Sequence, residues 1–308
     1  MPGSKKENVC QSSPNCPRLK PLKYFADMSC RPLILLICSL FPAMQCSHDA
    51  FWKIIPAAYV YSITERNDSL YFSTRAGSTG RLHPEHPDSV TPIGLLRFRP
   101  LRTLRFLSNG TLLAGSYEGG IYQVLPDTLR LLPGLLRPAW SFCCDDEDRI
   151  WLAGRQGLFR QSDDTLIRFT DLPEANDVEF FGGKLAVAHR HGISLYDTAT
   201  GAEERTWCRD TVFWSIDRFD SLLVCGGVET CLLVHTDGQM RTISIAPSGT
   251  IPWGAAMDSS GTIFLASQHG LLRIPPDGEK AECIGYRGKC VKSVHVDRKG
   301  QLWVGRYF

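Results

Sequence analysis

A short motif recurs along this 308-residue chain at intervals close to forty residues, and it constrains the fold more than any other feature. Each copy is an apolar, strand-like run, as in DRIWLAG around Ile150 and GQLWVG around Leu302. The copies centre on residues separated by 42, 38, 35, 37, 41 and 39 positions: Leu70, Leu112, Ile150, Leu185, Leu222, Ile263 and Leu302. A period of this length fits four short strands with their turns.

Turn residues divide each unit into strands. Clusters of Asp, Asn and Gly precede most copies of the motif, and a glycine follows within a few residues, as at Gly120, Gly157, Gly192 and Gly270. Such residues favour β-turns and tight hairpins, and no unit shows a 3.6-residue apolar period. The sequence therefore predicts an all-β fold, a seven-bladed β-propeller whose blades carry strands A to D from the axis outward.

The seventh unit is shorter than the others. Residues 291–296 are predicted as strand A and 301–305 as strand B, and the sequence ends at Phe308. Propellers close because an open sheet edge promotes aggregation, and the segment FWKIIPAA before the first unit resembles a strand D without its own blade. We expect an incomplete last blade, as in a truncated chain, with strand C missing and the N-terminal strand supplying strand D. A seventh blade that tolerates three strands is the alternative.

The chain divides into three parts. Residues 1–27 are polar, rich in proline and without periodicity, and we interpret them as a disordered, mispredicted extension before Met28. Residues 28–47 combine Arg31 with an apolar run too short to span a bilayer, which is typical of a secretory signal peptide. The propeller is predicted over 51–308. We expect a periplasmic or secreted protein that contacts a membrane only through the signal peptide or a lipid on Cys46.

Composition argues against several classes of partner. The 34 Lys and Arg residues nearly balance the 32 Asp and Glu residues, so no nucleic-acid partner is predicted. Twelve cysteines include no C-x-x-C pair, so we expect no structural zinc, and no other metal or cofactor is predicted. We interpret the acidic run 145–148 as a turn. Spacing leaves open whether Cys225 with Cys231, and Cys283 with Cys290, form disulfides.

Three units resemble the two-component-regulator propeller repeat. The segments SVHVDRKGQLWVGR, WSFCCDDEDRIWLAGRQGLFR and GAAMDSSGTIFLASQHGLLRI share its order of a small apolar strand, Asp-x-x-Gly, apolar-Trp-x-Gly and Gly-Leu-apolar-Arg. The resemblance covers about residues 52–308 and is weakest in unit four, FFGGKLAVAH. It implies the periplasmic sensor propeller of a hybrid histidine kinase. This sequence contains no kinase histidine box, so transmitting a signal would require a signalling partner or a missing C-terminal kinase region.

Aligning the A strands places one residue of each unit at the same level near the strand's start. We call this set the axial ring: Tyr61, Arg102, Trp140, Asp177, Trp214, Trp253 and Lys292. Aromatic faces beside charged donors suit a sugar ring or another planar polar ligand. Turns between strands B and C on the same face add further candidates: Arg75, Tyr117, Arg155, His189, His191, His269 and Arg306. The alternatives are tryptophans wedged between blades and a solvated polar rim.

These features favour a non-catalytic, extracytoplasmic sensor domain that binds a glycan-like small molecule or oligosaccharide. Two alternatives stay open. A propeller lyase resembling the streptogramin-inactivating class would need a base, for which His189, His191 and His269 are the candidates. A protein-interaction propeller would need an exposed apolar patch. We assign no catalytic residue, because only a shared turn position supports a histidine base.

Overall fold

The computed structural model describes residues 52–55, 57, 59–96 and 99–306. The predicted extension at 1–27 and the predicted signal peptide at 28–47, including Cys46, lie outside these residues. Contacts group Ala50–Phe308 into one unit. The described part contains only β-strands and no helix. No helix there has the length and hydrophobicity needed to cross a membrane.

After a short strand β1 (Trp52–Ile54), the described chain forms six four-stranded antiparallel sheets, each from four consecutive strands. The first three sheets contain β2 (Val60–Arg66), β3 (Ser69–Thr74), β4 (Ser78–His83), β5 (His86–Leu95); β6 (Leu101–Phe106), β7 (Leu112–Ser116), β8 (Gly120–Val124), β9 (Leu129–Leu131); and β10 (Ser141–Cys144), β11 (Ile150–Gly154), β12 (Gly157–Ser162), β13 (Thr165–Arg168). The next three contain β14 (Asp177–Phe181), β15 (Lys184–His189), β16 (Gly192–Asp197), β17 (Glu203–Trp207); β18 (Phe213–Phe219), β19 (Leu222–Gly227), β20 (Thr230–His235), β21 (Met240–Ser244); and β22 (Pro252–Met257), β23 (Ile263–Ser267), β24 (Gly270–Ile274), β25 (Glu282–Gly285). The four strands of each sheet are its strands A to D.

The last sheet has three strands and corrects the predicted closure. Its strands A and B are β26 (Val291–Val296) and β27 (Leu302–Arg306), and β1 pairs in parallel with β27. The N-terminal strand therefore takes the third place, beside strand B, and not the outer place of strand D. In an antiparallel blade strand D runs parallel to strand B, so β1 keeps the direction of a strand D while pairing directly with B. The described chain thus has six complete blades, not seven, plus this three-stranded sheet.

Hydrophobic clusters lie between consecutive sheets and join them into a ring. The A strands contact their neighbours in order, and β2 also contacts β26 of the last sheet. That junction is filled by a cluster that combines both sheets: Ile55, Val60, Leu70, Phe72, Leu82 and Trp303. Burial of apolar surface at each junction stabilises the circle, so the A strands converge on a common axis.

An aspartate closes the turn between strands A and B and also binds a buried tryptophan. Asp297 Oδ1 accepts two backbone N–H groups of the turn, and its Oδ2 accepts the Trp303 indole N–H at 2.8 Å. Asp145 repeats this arrangement with Trp151 at 2.9 Å. Both indoles are fully buried, so each carboxylate provides an acceptor for a buried donor. The acidic run at 145–148 is a turn, as the sequence predicts.

The turns between strands B and C select glycine by conformation and by space. Gly120, Gly157, Gly192 and Gly270 all have positive φ, which confirms their prediction as hairpin glycines. At Gly157, with φ of 106°, an added Cβ would lie 2.2 Å from the carbonyl oxygen of Leu172. No L side chain fits there without moving the backbone.

Cys225 and Cys231 lie on opposite faces of one blade. Cys225 pairs with Leu232, and Gly226 pairs with Cys231, so the two cysteines are offset by one residue. Because alternate residues of a strand point to opposite faces, Cys225 packs between the fourth and fifth blades and Cys231 between the fifth and sixth. Both are free thiols, as are the other cysteines of the described ranges, Cys283 and Cys290 included.

We expect both cysteines of the tryptic peptide 219–241 to be alkylated without prior reduction, because no disulfide can join opposite faces of a sheet. The measurement is mass spectrometry after denaturation in iodoacetamide. A reduced sample is the control and should give the same doubly modified peptide. An unmodified peptide that becomes alkylated only after reduction would contradict the structure.

Candidate functional site

The starts of the A strands enclose an axial cavity. The axial-ring residues of all seven units line it together with Asn176. Its volume is about 70 Å³ at this level, and an adjoining part of about 100 Å³ also reaches Arg105 and Asp217. A single water needs roughly 10–15 Å³ measured this way, so the cavity holds several waters or one small ring.

β-Bulges aim the large side chains of the ring. In five A strands the pairing register shifts at the ring residue, namely at Tyr61, Arg102, Trp214, Trp253 and Lys292. A bulge bends the strand and redirects the side chain of the extra residue. Bulky aromatic and charged residues can therefore face the axis at this level. Without the bulge, the regular alternation of a strand would point these side chains into the interfaces between blades.

Unit four departs by one residue from the sequence alignment. In unit three, the N–H of Trp140 bonds to the carbonyl oxygen of Ala153 just before strand A begins. Asn176 makes the same bond to Ala188 in unit four. Asn176 therefore occupies the level predicted for Asp177, and Asp177 lies one residue further along the strand. Both line the cavity.

Asp177 forms a hydrogen bond that links its blade to the next one. Its Oδ2 accepts the backbone N–H of Ile216 at 2.8 Å, and its Oδ1 accepts the N–H of Val178 at 2.9 Å. In the first blade, the Ser62 hydroxyl accepts the N–H of Leu104 in the next blade at 3.2 Å. Asp177 thus takes the place of this serine, and its carboxylate is already engaged by backbone donors.

Two cations of the ring contact aromatic faces. Lys292 Nζ lies 3.4 Å from the Trp253 ring centroid, and the Arg102 guanidinium lies 5.8 Å from that of Tyr117. Burial lowers the pKa of Lys292 to about 8, and repulsion from Arg102 adds to this effect. Burial likewise lowers the pKa of Arg102, against the attraction of Asp177. The ring therefore holds two partly desolvated positive charges.

Three buried polar atoms around the cavity lack a hydrogen-bond partner among the described residues. They are Asn176 Oδ1 and the indole nitrogens of Trp214 and Trp253. The Asn176 amide nitrogen donates to the Phe213 carbonyl at 2.7 Å, which orients the group, and the residue is only 6% exposed. Trp253 lies near the weak acceptor Cys290. Buried groups of this kind usually find partners, so these atoms favour a bound ligand or ordered water.

A second charged layer lies next to the ring. Arg105 pairs with Glu179 at 3.0 Å, and Asp217 Oδ2 accepts the N–H of Ala255 at 2.7 Å. Burial raises the pKa of Asp217 to about 7, and the negative charge of Asp177 adds to the shift. Asp217 thus links the neighbouring A strands β18 and β22, and the Arg105–Glu179 pair joins β6 to β14, two blades further round the axis.

The predicted rim residues do not line the axial cavity. Arg75, Arg155 and His191 are exposed, and Arg155 lies with Tyr117 in a separate groove that shares Trp140 with the ring. His269 Nδ1 is 3.0 Å from the Thr250 hydroxyl. Arg306 stacks over Tyr286, 5.4 Å from its ring centroid.

His189 is a buried turn residue, 5% exposed. Its Nε2 is 2.8 Å from the Ser194 hydroxyl, and its Nδ1 accepts the N–H of His191 at 3.2 Å. In other blades, the hydroxyls of Ser116 and Ser267 accept the N–H two residues on in the same way. His189 therefore stabilises its turn, and burial lowers its pKa. No group of three or more His, Cys, Asp or Glu residues in the described ranges is placed to hold a metal ion.

The sequence pattern did not identify Asn176, Arg105 and Asp217. Asn176 was hidden by the one-residue misalignment of unit four. Arg105 and Asp217 each lie three residues after a ring residue, in an A strand with three buried residues before them. A charge at the same offset in two repeats is the signal that could have identified the second layer.

A scan of protein-family models and a search of curated proteins found no match. Among solved structures, the extracellular domain of a hybrid two component system from B. thetaiotaomicron matches with a TM-score of 0.67 and 14% identity, over 83% of this chain and 38% of that one. Virginiamycin B lyase from Staphylococcus aureus matches with a TM-score of 0.66 and 12% identity, over 81% of this chain and 92% of the lyase. The WD40 β-propeller domain of Doa1 matches with a TM-score of 0.67 and 14% identity, over 81% of this chain and 90% of that domain. These similarities show a β-propeller, and the chain spans about two fifths of that extracellular domain.

Proposed function

We propose that this chain is an extracytoplasmic, sensor-type propeller that binds a small glycan-like ligand in the axial cavity. The observation that carries the proposal is a set of three buried polar atoms that lack a partner within the described ranges and belong to residues lining one cavity. Aromatic rings flank them, with Trp214 and Trp253 in an edge-to-face arrangement at 6.0 Å. Aromatic faces combined with polar groups suit a hydroxylated ring.

The size of the cavity favours a single sugar-sized ring over a long oligosaccharide. Its two parts, of about 70 and 100 Å³, correspond to a small cluster of waters. A ring carrying several hydroxyl groups could replace such waters and satisfy the same protein atoms. A longer glycan would have to extend outward along the face that carries the B–C turns.

The repeat motif and the apolar segment at 28–47 support the sensor assignment. We propose membership of the two-component-regulator propeller repeat family, with the three-stranded sheet as an incomplete seventh blade. The solved extracellular domain of a hybrid two component system adopts the same fold. Periplasmic or secreted location is part of this proposal, as is a signalling partner that reads the bound state.

The lyase alternative has weaker support. A base must reach the substrate, and none of the three candidate histidines lines the axial cavity. The Nε2 atom of His189 is already engaged with Ser194 in the turn. We therefore retain the binding function as the conclusion.

We expect D-galactose, D-glucose, D-galacturonate or D-glucuronate to produce a saturable change in tryptophan fluorescence, because Trp214 and Trp253 line the cavity. Replacing Trp214 by Phe keeps an aromatic ring but removes the N–H donor, and should weaken the binding of whichever probe binds by about five- to tenfold. Trp207→Phe is the matched control, since Trp207 lies in a cluster between blades. No saturable signal with any of the four sugars, or equal affinity of the Trp214→Phe variant, would refute the proposal.

A further inference from the structure

We infer that the ligand of the axial cavity carries a carboxylate, which Arg102 and Lys292 bind directly. This inference rests on the proposed function and specifies its substrate class: a small hydroxylated ring acid, such as a sugar acid. The basis for this inference is that two positively charged side chains of the cavity have no hydrogen-bond acceptor among the described residues.

The charge balance of the ring is the first step. Arg102 and Lys292 line the cavity with Asp177, which lies one residue further along its strand, and the adjoining part of the cavity adds the opposite charges of Arg105 and Asp217. Both Asp177 oxygens already accept backbone N–H groups, at 2.8 and 2.9 Å. Within the described ranges, the side chains of Arg102 and Lys292 contact aromatic rings, and Asp177 and Cys290 attract them electrostatically without a hydrogen bond to either. The two side chains therefore present N–H donors with no acceptor of their own.

The second step is the cost of this arrangement. A buried cation is stable only when an opposite charge or hydrogen bonds replace its water. A cation–π contact offsets part of this cost but leaves the N–H groups unbonded. Arg102 and Lys292 are also close enough to repel each other. One anion between them would relieve the repulsion and form charge-assisted hydrogen bonds with both.

The uncharged groups define the rest of the ligand. The indole N–H groups of Trp214 and Trp253 need acceptors, and Asn176 Oδ1 needs a donor. A hydroxyl group can serve either need, and a ring oxygen can serve the first. A simple aliphatic or aromatic acid would leave these atoms unsatisfied, so the combination favours a carboxylate on a hydroxylated ring.

The test compares matched pairs of sugars by isothermal titration calorimetry of the full chain near pH 7. D-Galacturonate should bind at least tenfold more tightly than D-galactose, and D-glucuronate more tightly than D-glucose. The preference should fall with added salt. It should also fall as pH rises through about 8, where Lys292 loses its proton.

Variants assign the preference to the two cations. Arg102→Gln and Lys292→Gln should each weaken binding of the acids by tenfold or more while leaving the neutral sugars nearly unchanged. Lys292→Arg keeps the charge and should retain most of the preference. Arg75→Gln removes an exposed charge outside the cavity and should change nothing. Thermal unfolding of each variant checks that it is folded.

The outcomes separate this inference from the function on which it rests. Equal affinity for acidic and neutral sugars would overturn the carboxylate and leave the glycan-binding function standing. Tighter binding of D-galactose 6-phosphate than of D-galacturonate would also overturn it, in favour of a phosphate. Loss of affinity for acidic and neutral sugars alike in both glutamine variants would assign the cations a structural role. Absence of binding by all of these sugars would remove both proposals.

Discussion

Replacing Trp303 by alanine is expected to lower the free energy of unfolding by about 3–5 kcal/mol. Trp303 is fully buried in the cluster that joins the last sheet to the first. The change leaves a large cavity at the junction that closes the ring. It also removes the indole donor from Asp297 Oδ2, which is 2.8 Å away, so a buried carboxylate oxygen loses its partner.

Urea denaturation measures this effect. Met240→Ala is the control, because Met240 is 58% exposed and should change stability by no more than about 0.5 kcal/mol. A double-mutant cycle with Asp297→Asn and Trp303→Phe should show coupling of about 1–2 kcal/mol, since the two residues share one hydrogen bond. If Trp303→Ala unfolds at the same urea concentration as Met240→Ala, the ring is not closed through this contact.

Replacing Asp217 by asparagine is expected to stabilise the protein more at pH 8 than at pH 5. Burial and the charge of Asp177 raise the pKa of Asp217 to about 7 in the folded state, with Glu179 acting in the same direction and Arg105 opposing. The unfolded state releases the proton near 3.8. Folding therefore takes up a proton at Asp217 between these values, and the contribution of Asp217 to the stability of the wild type falls as pH rises from about 4 to 7.

Asparagine removes this dependence because it carries no charge at any pH, and its amide oxygen can still accept the N–H of Ala255. The difference in unfolding free energy between Asp217→Asn and the wild type should rise by on the order of 2–4 kcal/mol from pH 4 to 8. Urea titrations at several pH values measure it. Asp220→Asn, an exposed turn residue, makes the same charge change as a control. A difference for Asp217→Asn that stays constant with pH would contradict the buried carboxylate.

The sequence predicted the strands well because turn chemistry marks each boundary. The aspartates at 145 and 297 and the hairpin glycines have local roles that a short window of sequence reveals. The closure was predicted less well. The resemblance of β1 to a strand D correctly predicts its direction in the sheet. Its pairing partner depends on which strand of the last sheet lies beside it in the folded protein, and the sequence does not show this.

The site shows the same limit. Tyr61, Arg102 and Lys292 line one cavity because each occupies the same position in its repeat. Ligand binding by these residues stays a prediction. Asp177 was misplaced by one residue, since unit four lacks the aspartate and tryptophan that fix the register. His189 resembles a functional histidine in sequence, yet its neighbours make it a turn residue.

The partnerless atoms of Trp214 and Asn176 could not be predicted from sequence at all. Whether a buried donor or acceptor is satisfied depends on segments that are distant in the chain and meet only at the axis. The Asn176 amide, for example, binds the carbonyl of Phe213 on the next blade with one atom and leaves the other open. This kind of information exists only in three dimensions.

The central claim is that the axial cavity is the ligand site, and a crystal structure of the chain with D-galacturonate tests it most directly. The account predicts a sugar ring beside Trp214 and Trp253, with its carboxylate within about 3 Å of the Arg102 and Lys292 nitrogen atoms. A sugar bound in the groove beside Tyr117 and Arg155, with only water in the axial cavity, would contradict it.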